Sequence, residues 1–361
     1  MSGGEDMPVY FENGYKGLGE AIKKAGFKGQ KAALVCDTNT AALYAGEAAG
    51  VLKEHFSSVF IYSFPAGEEN KTLASISELY RFLMERHFDR NDIIFALGGG
   101  VVGDMAGFAA ATYLRGVSFV QLPTTLLSQA DSSIGGKTGV DFMGYKNMVG
   151  AFHMPAFVYM NPLTLKTLDE EQYTSGMGEV LKSALLADEA FYVWLIGHME
   201  EIMERDPETV LKMVRKTASI KEAIVKRDPT EKGERALLNL GHTIGHAIEK
   251  SMDFSLAHGH CVALGTTAAA AISHKRGLLS TEELYEIRDM SVAFGLPMFA
   301  NGINNEEILA ITKSDKKMAA GHIRFILLKS IGRAFIAEDV TDEELLYGIH
   351  FINGDEITYE A

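Results

Sequence analysis

A glycine-rich turn between an apolar run and a helical stretch constrains the fold more than any other feature of the chain. Residues 92–104 read DIIFALGGGVVGD, which places Gly98, Gly100 and Gly103 in the spacing G-x-G-x-x-G. Between a strand and a helix, this spacing is typical of loops that bind the pyrophosphate of a dinucleotide. Glycines allow positive φ and close approach of backbone N–H groups, and the helix adds its N-terminal dipole. The segment therefore predicts an α/β nucleotide-binding domain.

The first half of the chain alternates short apolar runs with helical patterns. The runs cover residues 31–36, 59–64, 92–97 and 118–122, are rich in β-branched or aromatic residues, and end near Gly, Pro or Asp. Between them, residues 72–85 carry apolar side chains at helical spacing. Strands that alternate with helices in this way predict a parallel sheet with helices on both faces.

The second half is predicted to be mainly α-helical. Apolar residues recur at threes and fours over residues 200–226, 236–250 and 262–275. Residues 322–328 predict one short strand. Because 361 residues exceed what one core usually organises, we expect two domains, 1–162 and 163–361, which divide at Leu163.

Composition excludes several classes of function. Hydrophobic residues make up 47% and charged residues 23% of the chain, as in ordinary globular proteins, and the net charge of -14 argues against nucleic acid as a partner. The longest apolar stretch, 261–273, is too short to cross a bilayer, so no membrane partner is expected. Cys36 and Cys261 have neither metal nor redox spacing, and the first ten residues lack the pattern of an export signal. A cytoplasmic location is expected.

The nucleotide-binding motif lacks an acidic residue at the expected spacing. An acidic ribose ligand should follow the glycines by about twenty residues, where the chain offers only Gln121 and Thr124. Asp37, at the end of the first predicted strand, can take this role, and Glu68 and Lys71 follow the second strand. The alternative is that these segments are ordinary turns of an α/β fold, and for Asp37 alone that alternative is favoured.

A second group of residues points to a metal. GHTIGH places His242 and His246 four apart on one helix face, SGMGEVLK places Glu179 and Lys182 on adjacent helical turns, and residues 257–260 (AHGH) add two histidines. Two neutral imidazoles and one carboxylate form an open site typical of catalytic Zn²⁺. The motif H-E-x-x-H of zinc peptidases does not occur. Spacing alone leaves open which histidines bind the metal.

Basic residues lie in glycine-rich segments before the predicted domain boundary. Lys137, Lys146 and Asn147 sit among glycines in DSSIGGKT and GYKNMVG, which we interpret as loops. Loops at the ligand-binding edge of a parallel sheet can bring such side chains together on a ligand. The alternative is that each lysine is a solvated loop residue.

Six motifs in order connect these observations to a known family. They read GGGVVGDMAGFAA, LPTTLLSQADSSIGGKTGVD, KNMVGAF, SGMGEVLK, LLNLGHTIGHAIE and AHG. In this order they resemble the 3-dehydroquinate synthase family, over nearly the whole chain from Asp37 to residue 317. The resemblance implies an α/β NAD-binding domain with a parallel sheet, a mainly α-helical metal-binding domain, and an active site between them.

The resemblance also implies a reaction. Members convert 3-deoxy-D-arabino-heptulosonate 7-phosphate to 3-dehydroquinate and phosphate by transient oxidation with NAD, phosphate elimination, re-reduction and intramolecular aldol closure. The expected cofactors are NAD and a divalent metal, Zn²⁺ with Co²⁺ as an alternative. The expected partners are a sugar phosphate substrate and a second copy of the chain. The alternatives are another sugar-phosphate cyclase, a metal-dependent polyol dehydrogenase, and a non-catalytic sugar-phosphate sensor.

The matching motif positions imply a role for each site residue. The metal ligands would be Glu179, His242 and His258, with His246 as an acid–base or hydrogen-bonding residue. The NAD contacts would be Asp37, Glu68, Lys71, Gly99, Gly100, Val101, Asp104, Thr124 and Thr125. The substrate contacts would be Asp131, Lys137, Lys146, Asn147, Lys182, Lys221, Arg235, Asn239 and one of Lys316 or Lys317. Arg115 would reach the site of the neighbouring subunit, which implies a homodimer.

One position departs from the family. After His258 and Gly259 the family usually has glutamate, whereas this chain has His260. His260 can in principle compete for the metal. The resemblance favours His258, because its spacing from His242 matches that of the family.

Overall fold

The computed structural model describes residues 7–318 and 324–354; for residues 314–318 it describes the backbone only. The chain divides into two compact units, Met1–Leu168 and Asp169–Ala361. The boundary expected from the sequence, between residues 162 and 163, falls within the 3₁₀ helix Pro162–Thr167 at the end of the N-terminal unit. None of the helices in the described part of the chain is both long and apolar enough to cross a membrane.

The N-terminal unit is built on a six-stranded parallel sheet, as predicted. Its strands are β1 (Val9–Phe11), β2 (Lys31–Asp37), β3 (Ser58–Phe64), β4 (Ile93–Gly98), β5 (Ser118–Pro123) and β8 (Val158–Met160). Their order is β1-β8-β5-β4-β2-β3, and each neighbouring pair is parallel. The helices are α1 (Leu18–Ala25), α2 (Thr38–Lys53), α3 (Leu73–Glu85) and α4 (Gly100–Thr112). The four predicted strands are confirmed, whereas the short edge strand β1 and its neighbour β8 were not predicted.

The central strands are apolar on both faces because helices cover both. All six residues of β4 are buried, and successive residues of a strand point to opposite faces. In β2, Leu34 and Cys36 pack into a core with α1 and α2, whereas Ala33 and Val35 pack into a separate core with α3 and α4. This two-sided burial is why the strands read as continuous apolar runs in the sequence.

The strand order places a switch point between β2 and β4. The chain leaves β2 for β3 on one side and then passes to β4 on the other side of β2. Ligands of open parallel sheets bind outside the carboxyl ends of the strands at such a point. Here those ends are Asp37 and Gly98, which places the glycine-rich turn where a nucleotide would bind.

The segments predicted to be basic loops form a β-hairpin instead. Strands β6 (Lys137–Phe142) and β7 (Tyr145–Phe152) pair antiparallel, with an irregularity between Val140 and Phe142. The prediction of loops was wrong because the glycines were interpreted as turn residues. Gly139 and Gly150 lie opposite each other, and a Cβ on Gly150 would lie 2.2 Å from the carbonyl oxygen of Thr138, so these glycines permit close strand approach.

The C-terminal unit is mainly helical, as predicted. Its helices are α5 (Glu170–Ala187), α6 (Glu189–Gly197), α7 (Met199–Met203), α8 (Pro207–Arg227), α9 (His242–Ser251), α10 (His258–Lys275), α11 (Thr281–Ala293), α12 (Asn305–Met318) and α13 (Asp342–Ile352). A hairpin of β9 (Phe325–Ser330) and β10 (Arg333–Ala337) completes it. The strand expected at 322–328 is thus present in its later part.

Two helices that were predicted as continuous are each divided. The pattern over 200–226 breaks between α7 and α8, where Asp206 caps α8 and Pro207 occupies its first turn. The pattern over 236–250 breaks at Gly241, whose φ is 77°. The 3₁₀ helix Glu234–Asn239 ends before this glycine, and α9 begins directly after it. Apolar periodicity continues across both breaks, which is why it did not reveal them.

Helix α10 packs closely against two neighbours in the core of this unit. A Cβ on Gly259 would lie 1.7 Å from the carbonyl oxygen of Ser175 in α5, and a Cβ on Gly265 would lie 1.9 Å from that of Gly241 before α9. The Ser175 hydroxyl also accepts a hydrogen bond from the Gly259 N–H at 3.0 Å. Only glycines permit backbones to approach this closely, so α5, α9 and α10 are held in fixed proximity.

Candidate active site

The glycine-rich turn forms as predicted, but its glycines are needed because they lack a side chain and not because they adopt a positive φ. Gly98 ends β4, and α4 begins at Gly100. None of Gly98, Gly99, Gly100 and Gly103 has a positive φ, so that part of the expectation was wrong. A Cβ on Gly103 would lie 2.8 Å from Oε1 of Gln121, and one on Gly99 would lie 3.0 Å from Cγ2 of Thr125. The glycines allow α4 to pack on the sheet with its N-terminus at the switch point.

The neighbouring residues of this group follow the ends of β4 and β5. The Thr124 N–H donates to the carbonyl of Gly98 at 2.9 Å, and the Thr125 N–H donates to the Ser128 hydroxyl at 3.1 Å. Val101 lies in the first turn of α4. Together with Gly99, these residues surround the amide groups at the start of α4, which can bind an anion.

Asp37 has a clear structural role at the start of α2. Its Oδ1 accepts hydrogen bonds from the Thr40 N–H at 2.7 Å and the Thr40 hydroxyl at 2.8 Å. The Asp37 N–H in turn donates to the Thr40 hydroxyl oxygen at 3.2 Å, which completes a capping box. The alternative given above, an ordinary structural residue, therefore has direct support. Its position at the switch point keeps a nucleotide contact geometrically feasible.

Lys71 joins two groups of residues that the sequence analysis treated separately. Its Nζ lies 2.7 Å from Oδ2 of Asp104 and 3.6 Å from Oε1 of Glu68, and it donates to Oδ1 of Asn147 at 2.6 Å. Lys71 is 3% exposed. Burial lowers the pKa of Lys71, but the carboxylates of Asp104 and Glu68 outweigh it and raise that pKa. Lys71 therefore remains a cation that connects the turn after β3 to α4 and the β6–β7 hairpin.

Asp141 belongs to this cluster and was missed by sequence reasoning. Its Oδ1 accepts from the Asn147 N–H at 2.8 Å, and its own N–H donates to the carbonyl of Lys71 at 2.9 Å. The first of these bonds fixes Asn147, which has a φ of 54°. Asp141 is the last residue of the motif LPTTLLSQADSSIGGKTGVD, but no role was assigned to it. Its place one residue before the end of β6 would have drawn attention once a hairpin was recognised.

The basic residues expected to reach a substrate from the N-terminal unit are at the surface and are not all adjacent. Lys137 lies opposite Phe152 at one end of the hairpin, and Lys146 lies beside its turn. At a rise of about 3.4 Å per residue, this separates them by roughly 14 Å along the strands. Arg115 is exposed and has a φ of 67°. Such strained left-handed residues cluster at functional sites.

Asp131 lies in a π-helical turn that follows β5. The turn spans Ser128–Ser132 and leaves Asp131 partly buried. Single π-turns are rare and occur frequently at functional sites.

In the C-terminal unit, the predicted metal ligands come together from three helices. Glu179 of α5 is fully buried, and its Oε1 lies 3.5 Å from Nε2 of His242 and 3.6 Å from Nε2 of His258. The ligand atoms of His242, His246 and His258 all lie within 4.8 Å of one another. His242 and His246 share one face of α9, as predicted, and His246 is the exposed member.

The charges of this cluster favour a cation. Burial opposes ionisation of Glu179, but Lys182 and the two nearby histidines outweigh it and hold its pKa well below the usual range. Burial, with the charge of Lys182, lowers the pKa of His242 to about 3 and keeps it neutral. Burial acts in the same sense on His258, yet Glu179 and Glu249 raise its pKa to about 9. Without a metal, the site thus favours a proton on His258, and a bound metal would compete with that proton for the imidazole nitrogen.

The donor set fits a divalent metal. Neither oxygen of Glu179 makes a hydrogen bond to the described residues, although Oε2 forms an ion pair with Nζ of Lys182 on the next helical turn. A buried carboxylate whose oxygens face two imidazole Nε2 atoms is the arrangement of an open Zn²⁺ site. The structure therefore brings Glu179, His242, His258 and Lys182 together.

His260 has a different partner. Its Nε2 lies 2.9 Å from the Thr174 hydroxyl, which itself donates to the carbonyl of Glu170 at 3.0 Å. His260 therefore points toward the start of α5 and is not part of the imidazole cluster. This geometry favours His258 as the ligand.

Two of the cations expected to contact the substrate are buried. Arg235 and Lys221 are 2% and 7% exposed, so neither is a solvated surface charge. Nη1 of Arg235 donates to the carbonyl of Pro229 at 2.7 Å, and Nδ2 of Asn239 donates to Oε1 of Glu231 at 2.9 Å. Lys316 and Lys317 lie on α12, but their side chains are outside the described part of the structure.

The parallel sheet with its glycine turn and the helical unit with its Glu–His cluster define a two-domain α/β enzyme. Family models match both parts: "3-dehydroquinate synthase N-terminal" over residues 61–175 and "3-dehydroquinate synthase C-terminal" over residues 176–318. The 3-dehydroquinate synthase of Acetivibrio thermocellus is 41% identical over 94% of both chains. That of Nitrosomonas europaea is 44% identical over 88% of this chain and 86% of its own.

A solved structure agrees in fold. The 2-epi-5-epi-valiolone synthase ValA from Streptomyces hygroscopicus subsp. jinggangensis, with NAD⁺ and Zn²⁺ bound, superposes with a TM-score of 0.88 at 26% identity, covering 98% of both chains. The chain belongs to the 3-dehydroquinate synthase family. The resemblance that the motifs indicated is thereby confirmed.

Proposed function

We propose that this enzyme catalyses the reaction of its family, the conversion of 3-deoxy-D-arabino-heptulosonate 7-phosphate to 3-dehydroquinate and phosphate, as a carbon–oxygen lyase. The proposal is carried by the buried Glu179 beside two imidazoles, in a chain whose relatives of 41–44% identity are 3-dehydroquinate synthases. ValA carries NAD⁺ and Zn²⁺, and we extend both cofactors to this chain, with Co²⁺ as a possible substitute for Zn²⁺.

The bound cofactors would supply transient oxidation of a substrate hydroxyl and polarisation of its oxygen. Glu179, His242 and His258 would hold the metal. Lys182, which is 1% exposed and paired with Glu179, would keep that carboxylate ionised and oriented. His246, the exposed imidazole of the cluster, would accept or return the hydroxyl proton at a ring nitrogen.

The N-terminal unit would bind the nucleotide. The amides at the start of α4 would hold the pyrophosphate, with Gly99, Gly100, Val101, Thr124 and Thr125 around it. Asp37, Glu68, Lys71 and Asp104 would bind the remaining polar groups. The supporting observation is that these residues gather at the carboxyl ends of β2, β3, β4 and β5.

The substrate would be held at both of its charged ends. Lys137, Lys146, Asn147 and Asp131 would position the phosphate end, with Arg115 supplied by a second copy in a homodimer. Lys221, Arg235 and Asn239 would position the carboxylate end, which the burial of Lys221 and Arg235 supports. Cys36 and Cys261 are buried and form no disulfide, which fits a reducing cytoplasm.

The test measures phosphate release from 3-deoxy-D-arabino-heptulosonate 7-phosphate with a small fixed amount of NAD⁺. Product should exceed the NAD⁺ supplied many times over, without growth of NADH absorbance, and a chelator should abolish release until Zn²⁺ or Co²⁺ is restored. NADH that accumulates with product would support a polyol dehydrogenase instead. Absence of phosphate release with metal and NAD⁺ present would overturn the proposal.

The similarity to ValA supports a second candidate function, that of another sugar-phosphate cyclase. The two candidates differ in whether the substrate has a carboxylate. The same phosphate assay with sedoheptulose 7-phosphate distinguishes them.

A further inference from the structure

Glu249 is a buried carboxylate to which the proposed reaction assigns no task. It is 4% exposed and lies near the end of α9. His242, His246 and Glu249 occupy positions i, i+4 and i+7 of that helix and therefore share one face. A buried carboxylate is unfavourable unless a partner stabilises its charge.

One partner of Glu249 is a proposed metal ligand. Oε2 of Glu249 lies 3.4 Å from Nδ1 of His258, and Nε2 of the same imidazole lies 3.6 Å from Oε1 of Glu179. The two nitrogens of His258 thus face two different carboxylates. An Nδ1–H directed at Glu249 leaves the Nε2 lone pair directed at the metal position.

The contact depends on close helix packing. A Cβ on Gly245 would lie 2.7 Å from the carbonyl oxygen of Cys261, so the glycine allows α9 to approach α10 between His242 and Glu249. The start of α10, which carries His258, is thereby placed within reach of Glu249.

His242 is oriented by a different group. Its Nδ1 lies 3.1 Å from the carbonyl oxygen of Leu240, so its Nε2 also faces Glu179. The two imidazoles therefore have unlike supports, a neutral carbonyl for His242 and a carboxylate for His258. Carboxylate partners fix the tautomer and raise the basicity of a ligating histidine.

We propose that Glu249 is the positioning residue that orients His258 for the metal and strengthens it as a ligand. The inference rests on the proposed metal site and assigns it a residue that sequence reasoning did not single out. In this role Glu249 would not bind the metal itself; it would act through His258.

The test compares the binding of Zn²⁺ and Co²⁺ to metal-free wild type, Glu249→Gln and Glu249→Ala. Loss of such a partner typically weakens metal affinity about 10- to 100-fold, which we expect for Glu249→Ala. Glu249→Gln should fall between, because its amide oxygen still accepts from Nδ1–H but carries no charge. The absorption spectrum of bound Co²⁺, which reports ligand geometry, should change in the alanine variant.

A structural control separates positioning from folding. Glu344 is also a largely buried carboxylate with a charged partner, since its Oε1 lies 2.6 Å from Nε of Arg276. Arg276 lies at the C-terminal end of α10, whereas His258 begins that helix. Glu344→Gln should lower the melting temperature of the metal-free protein and leave Co²⁺ affinity and spectrum unchanged.

Wild-type affinity and an unchanged Co²⁺ spectrum in Glu249→Ala would overturn the inference. If that variant does not fold, Glu249→Gln decides: weaker metal binding with an unchanged metal-free melting temperature supports positioning, and wild-type binding rejects it. Failure of the wild type itself to bind either ion would instead refute the proposed metal site.

Discussion

The two units of the molecule build their candidate sites from different materials. In the N-terminal unit the site is made largely of backbone, since glycines end β4 and begin α4 and leave helix amides exposed at a sheet edge. In the C-terminal unit it is made of buried side chains, with Glu179 fully enclosed beside His242 and His258. Added Cβ atoms should therefore damage the first site, and removed side-chain atoms the second.

The largest effect is expected for a ligand in the side-chain site. His242→Ala should lower kcat/KM about a thousandfold or more, because a Lewis-acid metal supplies several kcal/mol and each ~1.4 kcal/mol is tenfold. Metal content, measured by atomic absorption, should fall in parallel, while NAD⁺ binding in the other unit persists.

His260→Ala is the matched control for that prediction. Its imidazole contacts Thr174 and not the cluster, so metal content should be retained. Loss of metal in His260→Ala but not in His258→Ala would show that the ligand assignment is wrong.

A smaller effect is expected at the phosphate end. Arg115→Ala and Lys137→Ala should each lower kcat/KM about 10- to 100-fold, since a charge-assisted hydrogen bond is worth about 1.5–3 kcal/mol. Because Arg115 is proposed to act in the partner's site, mixed dimers of the two variants should regain one intact site and part of the activity. Verified mixed dimers with no recovery would argue against a shared site.

The carboxylate end can be tested through substrate preference. Wild type should strongly prefer 3-deoxy-D-arabino-heptulosonate 7-phosphate over sedoheptulose 7-phosphate, because a buried cation left unpaired penalises the ligand without a carboxylate. Arg235→Ala should reduce the ratio of the two kcat/KM values about tenfold or more. Arg215→Ala, which removes an exposed arginine of α8, should leave the ratio unchanged. Equal or better use of sedoheptulose 7-phosphate by wild type would sink the dehydroquinate assignment.

The backbone site should respond to an added methyl group. Gly100→Ala places a Cβ 3.3 Å from the Ser132 hydroxyl, which small movements can accommodate, but it obstructs the approach of phosphate to the start of α4. We expect NAD⁺ affinity, measured by calorimetry, to fall about tenfold, since helix N-terminal interactions are worth up to ~2 kcal/mol. Metal content should not change.

Gly46→Ala provides the matched glycine control. Gly46 is exposed inside α2, and a Cβ there would meet nothing within 4 Å. That variant should be more stable by about 0.5–1 kcal/mol and bind NAD⁺ normally. Unchanged NAD⁺ affinity in Gly100→Ala would contradict the nucleotide site at the switch point.

The smallest effect separates the two roles of Asp37. Asp37→Ala should lower the free energy of unfolding by about 1 kcal/mol, because it removes the cap of α2, whereas asparagine caps equally well. If Asp37 also contacts NAD⁺, both variants should bind it more weakly. Full NAD⁺ affinity in Asp37→Asn would show that Asp37 caps α2 and does not contribute to NAD⁺ binding.

Much of the fold followed from local patterns. The four predicted strands of the sheet and the helix that carries His242 and His246 depend on residues close in sequence, so periodicity and turn residues revealed them. The loops assigned around Lys137 and Asn147 were wrong, because glycine in a hairpin and glycine in a turn look alike until the pairing partner is known. Gly241 and Pro207 were similarly overlooked inside continuous apolar patterns.

The sequence by itself determined the family, the glycine turn and the residue types of a metal site, because those depend on motifs and on local spacing. The tertiary structure alone decided which histidine faces Glu179, that Lys71 meets Asp104 and Asn147, and that Glu249 supports His258. These contacts join segments far apart in the chain. For the histidine contacts, this geometry is set by close packing at Gly178, Gly245, Gly259 and Gly265, where backbones of neighbouring helices touch. No local pattern encodes that approach, since it exists only once the helices pack.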